Sequence, residues 1–241
     1  MKKIAIIGSN GFVGKALVRT AKNFNFEVTC VTRENFSEHK NKSYDCVINS
    51  AMPSKRFWSL NNPIEDIKET VVKTADIFYN WHYDKFVQIS SISAENQLDI
   101  PYGSHKRSAE IIVEKDKSAL IVRLGALYGN GLTKSALFDL INKNHDMVNH
   151  KHIYVDINSE YNYIDVDYAA NHILSNLNHK GVLNLGARDS ISLLDLSKGI
   201  WDNPSYEGRL EKLIFKKVDS TMPSAKNVLK YINLLRSKEN T

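Results

Sequence analysis

Short apolar runs alternate with helical stripes through the first half of the chain. A run such as Lys3–Ile7, which ends at a glycine-rich turn, is typical of a strand buried on both faces. Runs of this kind predict strands at 3–7, 27–32, 45–51, 85–90 and 119–124. Apolar residues at three- and four-residue spacing predict helices from 12 to about 23, from 63 to 81 and from 102 to 114. This alternation predicts an α/β fold, a doubly wound parallel sheet covered by helices on both faces.

The pattern loosens beyond Gly131, where the elements are shorter and less periodic. The weaker signals predict a helix at 134–141, a strand at 152–155, a helix beginning at 167 and a strand at 182–185. The tail after Asn203 carries one helical stripe, formed by Val228, Tyr231, Ile232 and Leu235. We therefore predict a sheet domain at 1–130, to which strands and helices from 160–200 can return, and a small C-terminal lobe at 131–241.

Composition places the chain among ordinary globular proteins. Of its 241 residues, 42% are hydrophobic and 24% are charged, which corresponds to one large domain or one domain with a small appendage. The net charge of +5 slightly favours small anionic ligands, and nucleic acid is not an expected partner because the excess is not clustered. No apolar run approaches the roughly 18 residues of a membrane span, and no signal peptide is recognisable. We expect no membrane association and a cytoplasmic location.

Cysteine and histidine usage indicates neither a disulfide nor a metal centre. Cys30 and Cys46 both fall inside apolar runs, which predicts buried thiols in a reducing compartment. The histidines are scattered without the spacing of metal ligands.

Three glycines, Gly8, Gly11 and Gly14, stand at three-residue spacing between a predicted strand and a predicted helix. The first glycine permits a tight turn, the second lets a pyrophosphate approach the backbone, and the third allows the helix to pack closely on the strand. The pyrophosphate of a dinucleotide would then lie at the positive N-terminus of the helix. The pattern predicts a dinucleotide-binding turn, the alternative being three glycines that serve only turns and caps.

The end of the second predicted strand indicates which dinucleotide binds. NAD-binding proteins usually carry an acidic residue at that position for the ribose 2′-hydroxyl, whereas here Thr32 is followed by Arg33. Because a guanidinium suits a 2′-phosphate, we predict NADP in preference to NAD. The alternative is that Arg33 is only solvated and that Glu34 binds the ribose.

Tyr102 and Lys106 stand four residues apart on one predicted helix, and Ser91 ends the strand before it. A tyrosine has a pKa near 10, so acid–base work near neutrality needs a fall of about 3 units, or about 4 kcal/mol in favour of phenolate. We expect the Lys106 ammonium to supply much of that, and Ser91 to polarise a substrate oxygen. The alternative is a surface tyrosine and a capping serine.

Taken together, these motifs resemble one enzyme family, the extended short-chain dehydrogenase/reductases of the NAD-dependent epimerase/dehydratase type. The resemblance covers roughly residues 3 to 200. The segments that carry it are Gly8-x-x-Gly11-x-x-Gly14, Val47–Ala51, Phe86–Ser91, Pro101-Tyr102-x-x-x-Lys106, Val122–Gly129, Tyr163–Asp167 and Leu183–Gly186. It implies a Rossmann-type NAD(P)-binding domain with a small C-terminal substrate lobe, and a sugar or nucleotide-sugar as the small-molecule partner. A homodimer is left open.

The resemblance also implies a role for individual residues. Tyr102 would be the acid/base, Lys106 its partner and Ser91 the donor to the substrate oxygen. It implies that the pyrophosphate is held by Gly8, Gly11, Phe12, Val13 and Gly14, that Ser50 and Ala51 line the cofactor, and that Leu127 lies near the nicotinamide. The other candidates for cofactor binding are Asn10, Arg33, Tyr102 and Lys106.

Three departures from the family pattern narrow the expected activity. Ser91 is followed by Ile92 and Ser93, whereas the family's 4,6-dehydratases usually carry Asp-Glu after the catalytic residue, so dehydration is disfavoured. Ala126 stands where sugar-nucleotide epimerases often have Asn. Only eleven residues separate Arg33 from Asp45, too few for the usual strand and helix, which predicts that the sheet lacks one edge strand.

These observations favour reduction of a keto-sugar by an NAD(P)-dependent oxidoreductase. The alternatives are an NAD-dependent sugar epimerase with a retained cofactor and a non-catalytic NADP-sensing regulatory protein. Weaker candidates for substrate contact are Lys55 or Arg56, which could bind a phosphate, Trp58, which could stack on a ring, and Ser93. The segment 52–58 that holds the first three is otherwise interpreted as a loop with solvated cations and a packing aromatic.

Overall fold

The computed structural model describes residues 1–142, 152–153, 155–198, 200 and 205–239. Its strands are β1 (Lys2–Ile7), β2 (Phe26–Val31), β3 (Ser43–Asn49), β4 (His82–Ser91), β5 (Leu120–Leu124), β6 (Leu127–Tyr128), β7 (His152–Ile153), β8 (Glu160–Tyr161), β9 (Ile164–Asp165), β10 (Gly181–Leu185), β11 (Ile191–Ser192), β12 (Ser205–Tyr206) and β13 (Lys212–Leu213). Its helices are α1 (Phe12–Ala21), α2 (Phe36–His39), α3 (Arg56–Asn61), α4 (Pro63–Ile67), α5 (Lys73–Asn80), α6 (Ser93–Asn96), α7 (Pro101–Val113), α8 (Ala136–Asn142), α9 (Val166–Ser175), α10 (Leu193–Ser197) and α11 (Asn227–Glu239). One π-helical turn, Lys68–Val72, joins α4 to α5.

The main sheet has six parallel strands in the order β10-β5-β4-β3-β1-β2. Ile4–Ile7 of β1 and Cys46–Asn49 of β3 are buried throughout, as expected of central strands that helices cover on both faces. The strands of this sheet lie where the apolar runs predict them, and helices connect most of them. The predicted doubly wound α/β fold is confirmed.

The sheet stops at β2, which pairs with β1 and has no other partner strand among the described residues. Between β2 and β3 the chain forms only the four-residue helix α2, so the predicted lack of an edge strand is confirmed. The same feature corrects one prediction about the cysteines. Cys46 in β3 is buried, but Cys30 is exposed because β2 is an edge strand with little structure to cover it.

The described residues divide into two compact units. The first unit contains residues 1–124 and 167–185 and holds the whole six-stranded sheet. The second contains residues 125–166 and 186–241. The division therefore lies at 124/125 rather than at the predicted 130/131, and the segment that returns to the first unit, 167–185, falls inside the predicted range 160–200.

In its described residues, the second unit is built from short strands and the three helices α8, α10 and α11. Its strands form the three-stranded sheet β11-β8-β13 and the pairs β12-β7 and β6-β9. The predicted tail stripe forms α11, whose Tyr231 hydroxyl donates a hydrogen bond to the carbonyl of Gly129 at 3.0 Å. The predicted strand 152–155 is described only as β7, because Tyr154 lies outside the described residues.

The helix predicted at 63–81 is an uninterrupted helical run formed by α4, the π-helical turn and α5, and it ends at Trp81 in extended backbone. One local prediction needs correction. The segment after Lys55, interpreted as a loop, forms the helix α3, which is too short to show a helical period in the sequence. Within the described ranges, no helix is long and apolar enough to cross a bilayer.

Candidate functional site

The glycine-rich turn joins β1 to α1 at the carboxyl edge of the sheet. Gly8 has a φ of +81°, and a Cβ there would lie 2.7 Å from the Cα of Ala51. A Cβ on Gly14 would collide with the carbonyl oxygen of Gly8. Gly8 thus makes the turn and Gly14 brings the helix against it, the two roles that the spacing predicts for them.

Helix α1 presents an uncapped N-terminus at this turn. Gly11 is the N-cap residue, no side chain caps the helix, and no acidic residue lies in its first turn. The first backbone N–H groups of a helix have no partner within it, and the helix dipole adds positive charge there. This N-terminus, formed by Gly11, Phe12, Val13 and Gly14 with Asn10 exposed before it, fits the pyrophosphate of a dinucleotide.

The ends of β1 and β3 are tied together beside the turn. The backbone N–H and the hydroxyl of Ser50 both donate to the carbonyl of Ile7, at 2.9 and 2.7 Å. The N–H of Ala51 donates to the Asn49 side chain at 3.2 Å. The structure therefore brings Gly8, Ser50 and Ala51 together, as the resemblance implies.

Two buried amides, Asn49 and Gln88, were not predicted as part of this edge. The Asn49 side chain donates to that of Gln88 at 3.0 Å, which joins β3 to β4. Their signal in the sequence is a polar residue inside each apolar run, a position where a side chain must find a partner.

Arg33 lies at the carboxyl end of β2, the same sheet edge as the glycine turn. Its side chain is 82% exposed and its nearest charged partner is Glu69, with 3.7 Å between nitrogen and oxygen. The neighbouring Glu34 has a lowered pKa because Thr32 donates a hydrogen bond to it. Both residues considered for the ribose end of the cofactor are thus placed at this edge.

Ser91 and Tyr102 meet at the end of β4. Tyr102 is 7% exposed, and the Ser91 side chain is near enough to its hydroxyl to lower the pKa of Tyr102. The close approach depends on Gly103, where a Cβ would lie 2.5 Å from the Ser93 carbonyl oxygen and collide with that of Gln97. A glycine that directly follows Tyr102 is the signal by which this packing could have been predicted.

Lys106 completes the set but does not act on Tyr102 as expected. It is 4% exposed, its Nζ donates to the carbonyl of Pro53 at 2.9 Å, and it lies 5.1 Å from the centroid of the Tyr102 ring. Burial raises the pKa of Tyr102, and the groups that lower it are Arg56 and the Ser91 side chain. Lys106 is not among the groups that lower this pKa, so the expectation that it supplies much of the lowering is corrected. The ammonium lies over the ring and is engaged by a carbonyl.

Burial also changes Lys106 itself. Desolvation lowers its pKa to about 7, against the opposing effect of Asp66 and Glu110. A group with this pKa changes charge in the physiological range, a property found at functional sites more often than elsewhere.

The weaker candidates for substrate contact differ in whether they act on Tyr102. Arg56, at the start of α3, is the cation that acts on Tyr102. Lys55 is exposed and Trp58 half-buried on the same segment. The prediction for Ser93 as a substrate contact is not supported, because its side chain is buried and its hydroxyl donates to Gln97 at 2.8 Å. Leu127 is half-buried in β6 of the second unit, where β6 pairs with β9.

Comparison with solved structures shows the same fold. A dTDP-4-dehydrorhamnose reductase from Clostridium acetobutylicum matches with a TM-score of 0.72 at 18% identity, over 97% of this chain and 99% of that one. A UDP-glucose 4-epimerase from Thermotoga maritima, solved with UDP-glucose, matches with a TM-score of 0.73 at 17% identity, over 98% and 99%. MoeE5, solved with UDP-glucuronic acid and NAD, matches with a TM-score of 0.74 at 19% identity, over 95% and 92%.

Comparison of sequences gives one family. A search of the curated proteins finds no match. The family model described as "NAD dependent epimerase/dehydratase family" matches residues 4–186, which include the glycine turn, Ser91, Tyr102 and Lys106. Since that match extends over well more than half of the chain, the protein belongs to the NAD-dependent epimerase/dehydratase family.

Proposed function

We propose that the protein reduces the carbonyl group of a keto-sugar, carried on a nucleotide or free, with NADPH as the preferred reductant. The observation that carries the proposal is the set formed by Tyr102 and Lys106, both buried on α7, and the half-buried Ser91 at the end of β4, which acts on Tyr102. Strands β4, β3 and β1 are neighbours in the sheet, so this set and the glycine turn lie at one edge of one unit.

The cofactor fits residues that the sheet edge brings together. The N-terminus of α1 would hold the pyrophosphate, with Gly8, Ser50 and Ala51 lining the crevice beside it. Arg33 would bind the 2′-phosphate, since its guanidinium is exposed and only distantly paired. When bound, the nicotinamide supplies the hydride. NAD held by Glu34 is the alternative.

Ser91 and Tyr102 would act on the carbonyl oxygen of the substrate. The Ser91 hydroxyl orients that oxygen and donates a hydrogen bond to it, while the Tyr102 phenol transfers its proton to it. The substrate carbon gains a hydride and the oxygen gains the proton, so the carbonyl becomes a hydroxyl. The phenolate that remains on Tyr102 is stabilised by Arg56 and by the Ser91 side chain, the two groups that lower the pKa of Tyr102.

Burial raises the pKa of Tyr102, so at neutral pH the phenol carries the proton that reduction transfers to the carbonyl oxygen.

Dehydration is disfavoured by the residues that follow Ser91. Ile92 is buried and apolar, and the hydroxyl of Ser93 is bound to Gln97. The nearest acidic residue along the chain, Glu95, pairs with Arg123 at 3.1 Å. The two residues that follow Ser91 therefore provide no carboxylate to act as acid or base in the elimination of water.

The test is a screen of nucleotide-linked and free keto-sugars with NADPH or NADH, in which loss of the reduced nicotinamide is measured. Reduction of one keto-sugar by the protein, and its loss in Tyr102→Phe with NADPH binding retained, is the expected result. Turnover of a sugar without added cofactor, together with co-purified NAD, would instead establish the epimerase. Binding of NADPH with no turnover of any sugar would favour the sensing role.

A further inference from the structure

The turn that carries Arg33 is fixed beside the glycine-rich turn. The carbonyl of Val31, the last residue of β2, accepts a hydrogen bond from the backbone N–H of Gly8 at 2.9 Å. Beyond it, the side-chain oxygen of Asn35 accepts a hydrogen bond from the backbone N–H of Thr32 at 2.8 Å. These bonds hold the backbone on both sides of Arg33, so its guanidinium starts from a defined point at the edge of the sheet.

One carboxylate oxygen of Glu69 is shared by two cations. Its Oε2 lies 3.7 Å from Nη2 of Arg33 and accepts a hydrogen bond from Nζ of Lys73 at 2.8 Å. Glu69 lies in the π-helical turn and Lys73 begins α5, whereas Arg33 follows β2, so the two cations come from separate segments. This oxygen marks a point at which the structure already holds a negative charge next to a guanidinium and an ammonium.

The helix that carries Lys73 is anchored at the same edge of the sheet as Arg33. Thr74, the next residue, is buried, and its hydroxyl accepts a hydrogen bond from the Asn49 side chain at 3.3 Å. Asn49 ends β3, a neighbour of β1 in the sheet. Because the carboxyl ends of parallel strands meet at one edge, both cations start from the edge at which the cofactor is expected to bind.

The charges of these three side chains leave room for a stronger anion. Arg33 and Lys73 are two cations, while Glu69 supplies one negative charge. The contact with Arg33 is exposed, and exposed ion pairs contribute little to stability, so the carboxylate can be displaced at small cost. A phosphate monoester carries a charge of roughly −1.5 to −2 at pH 7 and has three acceptor oxygens. It therefore suits two cations better than one carboxylate does.

The neighbouring carboxylates do not share this arrangement. Asp76, also on α5, pairs with Lys40 at 2.7 Å, and Glu65 on α4 pairs with Lys68 at 2.8 Å. Glu34, which follows Arg33, is held by the hydrogen bond from Thr32 that lowers its pKa. In the described part of this sheet edge, Glu69 is thus the carboxylate that is ion-paired with cations of two separate segments.

We propose that Arg33 and Lys73 together bind the 2′-phosphate of the cofactor, and that Glu69 occupies this subsite as an internal anion which the phosphate displaces. The inference rests on the proposed function, in which Arg33 alone has this role. Lys73 is then a second binding residue for NADP. Glu69 lowers the preference for NADP over NAD, because its carboxylate competes with the 2′-phosphate and with no group of NAD.

The experiment uses NADP and NAD as probes, since they differ by the 2′-phosphate alone. Calorimetric titration gives both affinities for the wild-type protein, for Lys73→Gln and for Glu69→Gln. Lys68→Gln and Glu65→Gln are the matched controls, because these residues form an exposed pair earlier on the same helical run and their variants make the same charge changes. The ratio of the two affinities isolates the phosphate, whereas a general structural loss would lower both affinities.

In Lys73→Gln we expect the affinity for NADP to fall by about 10-fold, as for the loss of one charge-assisted contact, while the affinity for NAD is unchanged. In Glu69→Gln we expect the affinity for NADP to rise by about 3-fold because the competing anion is removed. In both controls we expect the ratio to change by less than about 2-fold, because salt screens exposed charges that do not touch the phosphate.

An unchanged ratio in Lys73→Gln would overturn the role of Lys73. Weaker binding of NAD in Glu69→Gln would overturn the role of Glu69, because its carboxylate would then hold a ribose hydroxyl. If Lys73→Gln loses affinity for NADP while the wild-type protein reduces no keto-sugar, the proposed function fails and the phosphate subsite stands. If the wild-type protein reduces a keto-sugar with NADPH while Lys73→Gln keeps the ratio, the subsite fails and the proposed function stands.

Discussion

The Nζ of Lys106 donates a hydrogen bond to the backbone carbonyl of Pro53 at 2.9 Å. This contact joins α7, which carries Tyr102, to the segment that follows β3 and leads into α3, which carries Arg56. The two cations near the phenol are thereby held in different places, Lys106 over the ring and Arg56 near enough to lower the pKa of Tyr102. The site is therefore built from two segments far apart in the sequence, each of which supplies one cation.

Lys106→Met should raise the stability of the protein at neutral pH while removing activity. The pKa of Lys106 falls from 10.5 when unfolded to about 7 when folded, so the unfolded chain binds more protons between these values and stability rises with pH across that window. Below pH 7 the burial of the ammonium costs about 5 kcal/mol, which an apolar side chain of similar length avoids. Chemical denaturation at several pH values checks this. An equally steep pH dependence in Lys106→Met would show that another group is responsible.

Gly14→Ala should disrupt the dinucleotide-binding turn. Its Cβ would collide with the carbonyl oxygen of Gly8, and overpacking of this kind costs about 1 to 3 kcal/mol. Gly11→Ala is the matched control, because its Cβ would lie 3.2 Å from the same oxygen, where a small adjustment suffices. Thermal unfolding measures the effect. An equal loss of stability in the two variants would contradict the assigned packing role of Gly14.

Arg33→Gln should weaken binding of NADP far more than binding of NAD. Loss of a charge-assisted hydrogen bond to a 2′-phosphate corresponds to roughly 10-fold or more in affinity. Lys42→Gln is the control, since Lys42 is an exposed cation before β3 and its loss changes the net charge equally. Calorimetric titration with both cofactors gives the ratio of the affinity for NADP to that for NAD. If Arg33→Gln leaves this ratio unchanged, NAD with its ribose bound by Glu34 is favoured.

Cys30 should react with a thiol reagent in the native protein while Cys46 does not. Cys30 is exposed on the edge strand β2. Cys46 is buried, which keeps reagents from its thiol and raises the pKa of that thiol to about 12. Mass spectrometry after brief labelling should find one modified thiol, and none in Cys30→Ser. Labelling of Cys46 at the same rate would contradict the buried position of β3.

Much of the fold and part of the site could be predicted from the sequence because their signals are local. The strands of the sheet are continuous apolar runs, the spacing of Gly8, Gly11 and Gly14 reflects one turn, and Tyr102 and Lys106 are neighbours on one helix. The lack of an edge strand could be predicted from the shortness of the segment between Arg33 and Asp45. These features depend on residues that are close together in the sequence.

The parts that could not be predicted depend on tertiary contacts. Asp66 reaches His105 across 39 positions of sequence, and Lys106 reaches Pro53 across 53, so no spacing rule indicates either pair. The exposure of Cys30 depends on which strands flank β2, although its own run is apolar. The balance of charges on Tyr102 likewise depends on Arg56, which a short helix brings near the phenol.

The central claim is that the protein transfers a hydride to a sugar carbonyl with Tyr102 as the proton donor. Its most direct measurement uses NADPH deuterated at the transferred position and mass spectrometry of the sugar product. We expect one deuterium on the former carbonyl carbon with the wild-type protein, and a rate lower by about 100-fold or more with Tyr102→Phe. A sugar product without deuterium, or one formed equally fast by Tyr102→Phe, would contradict the account.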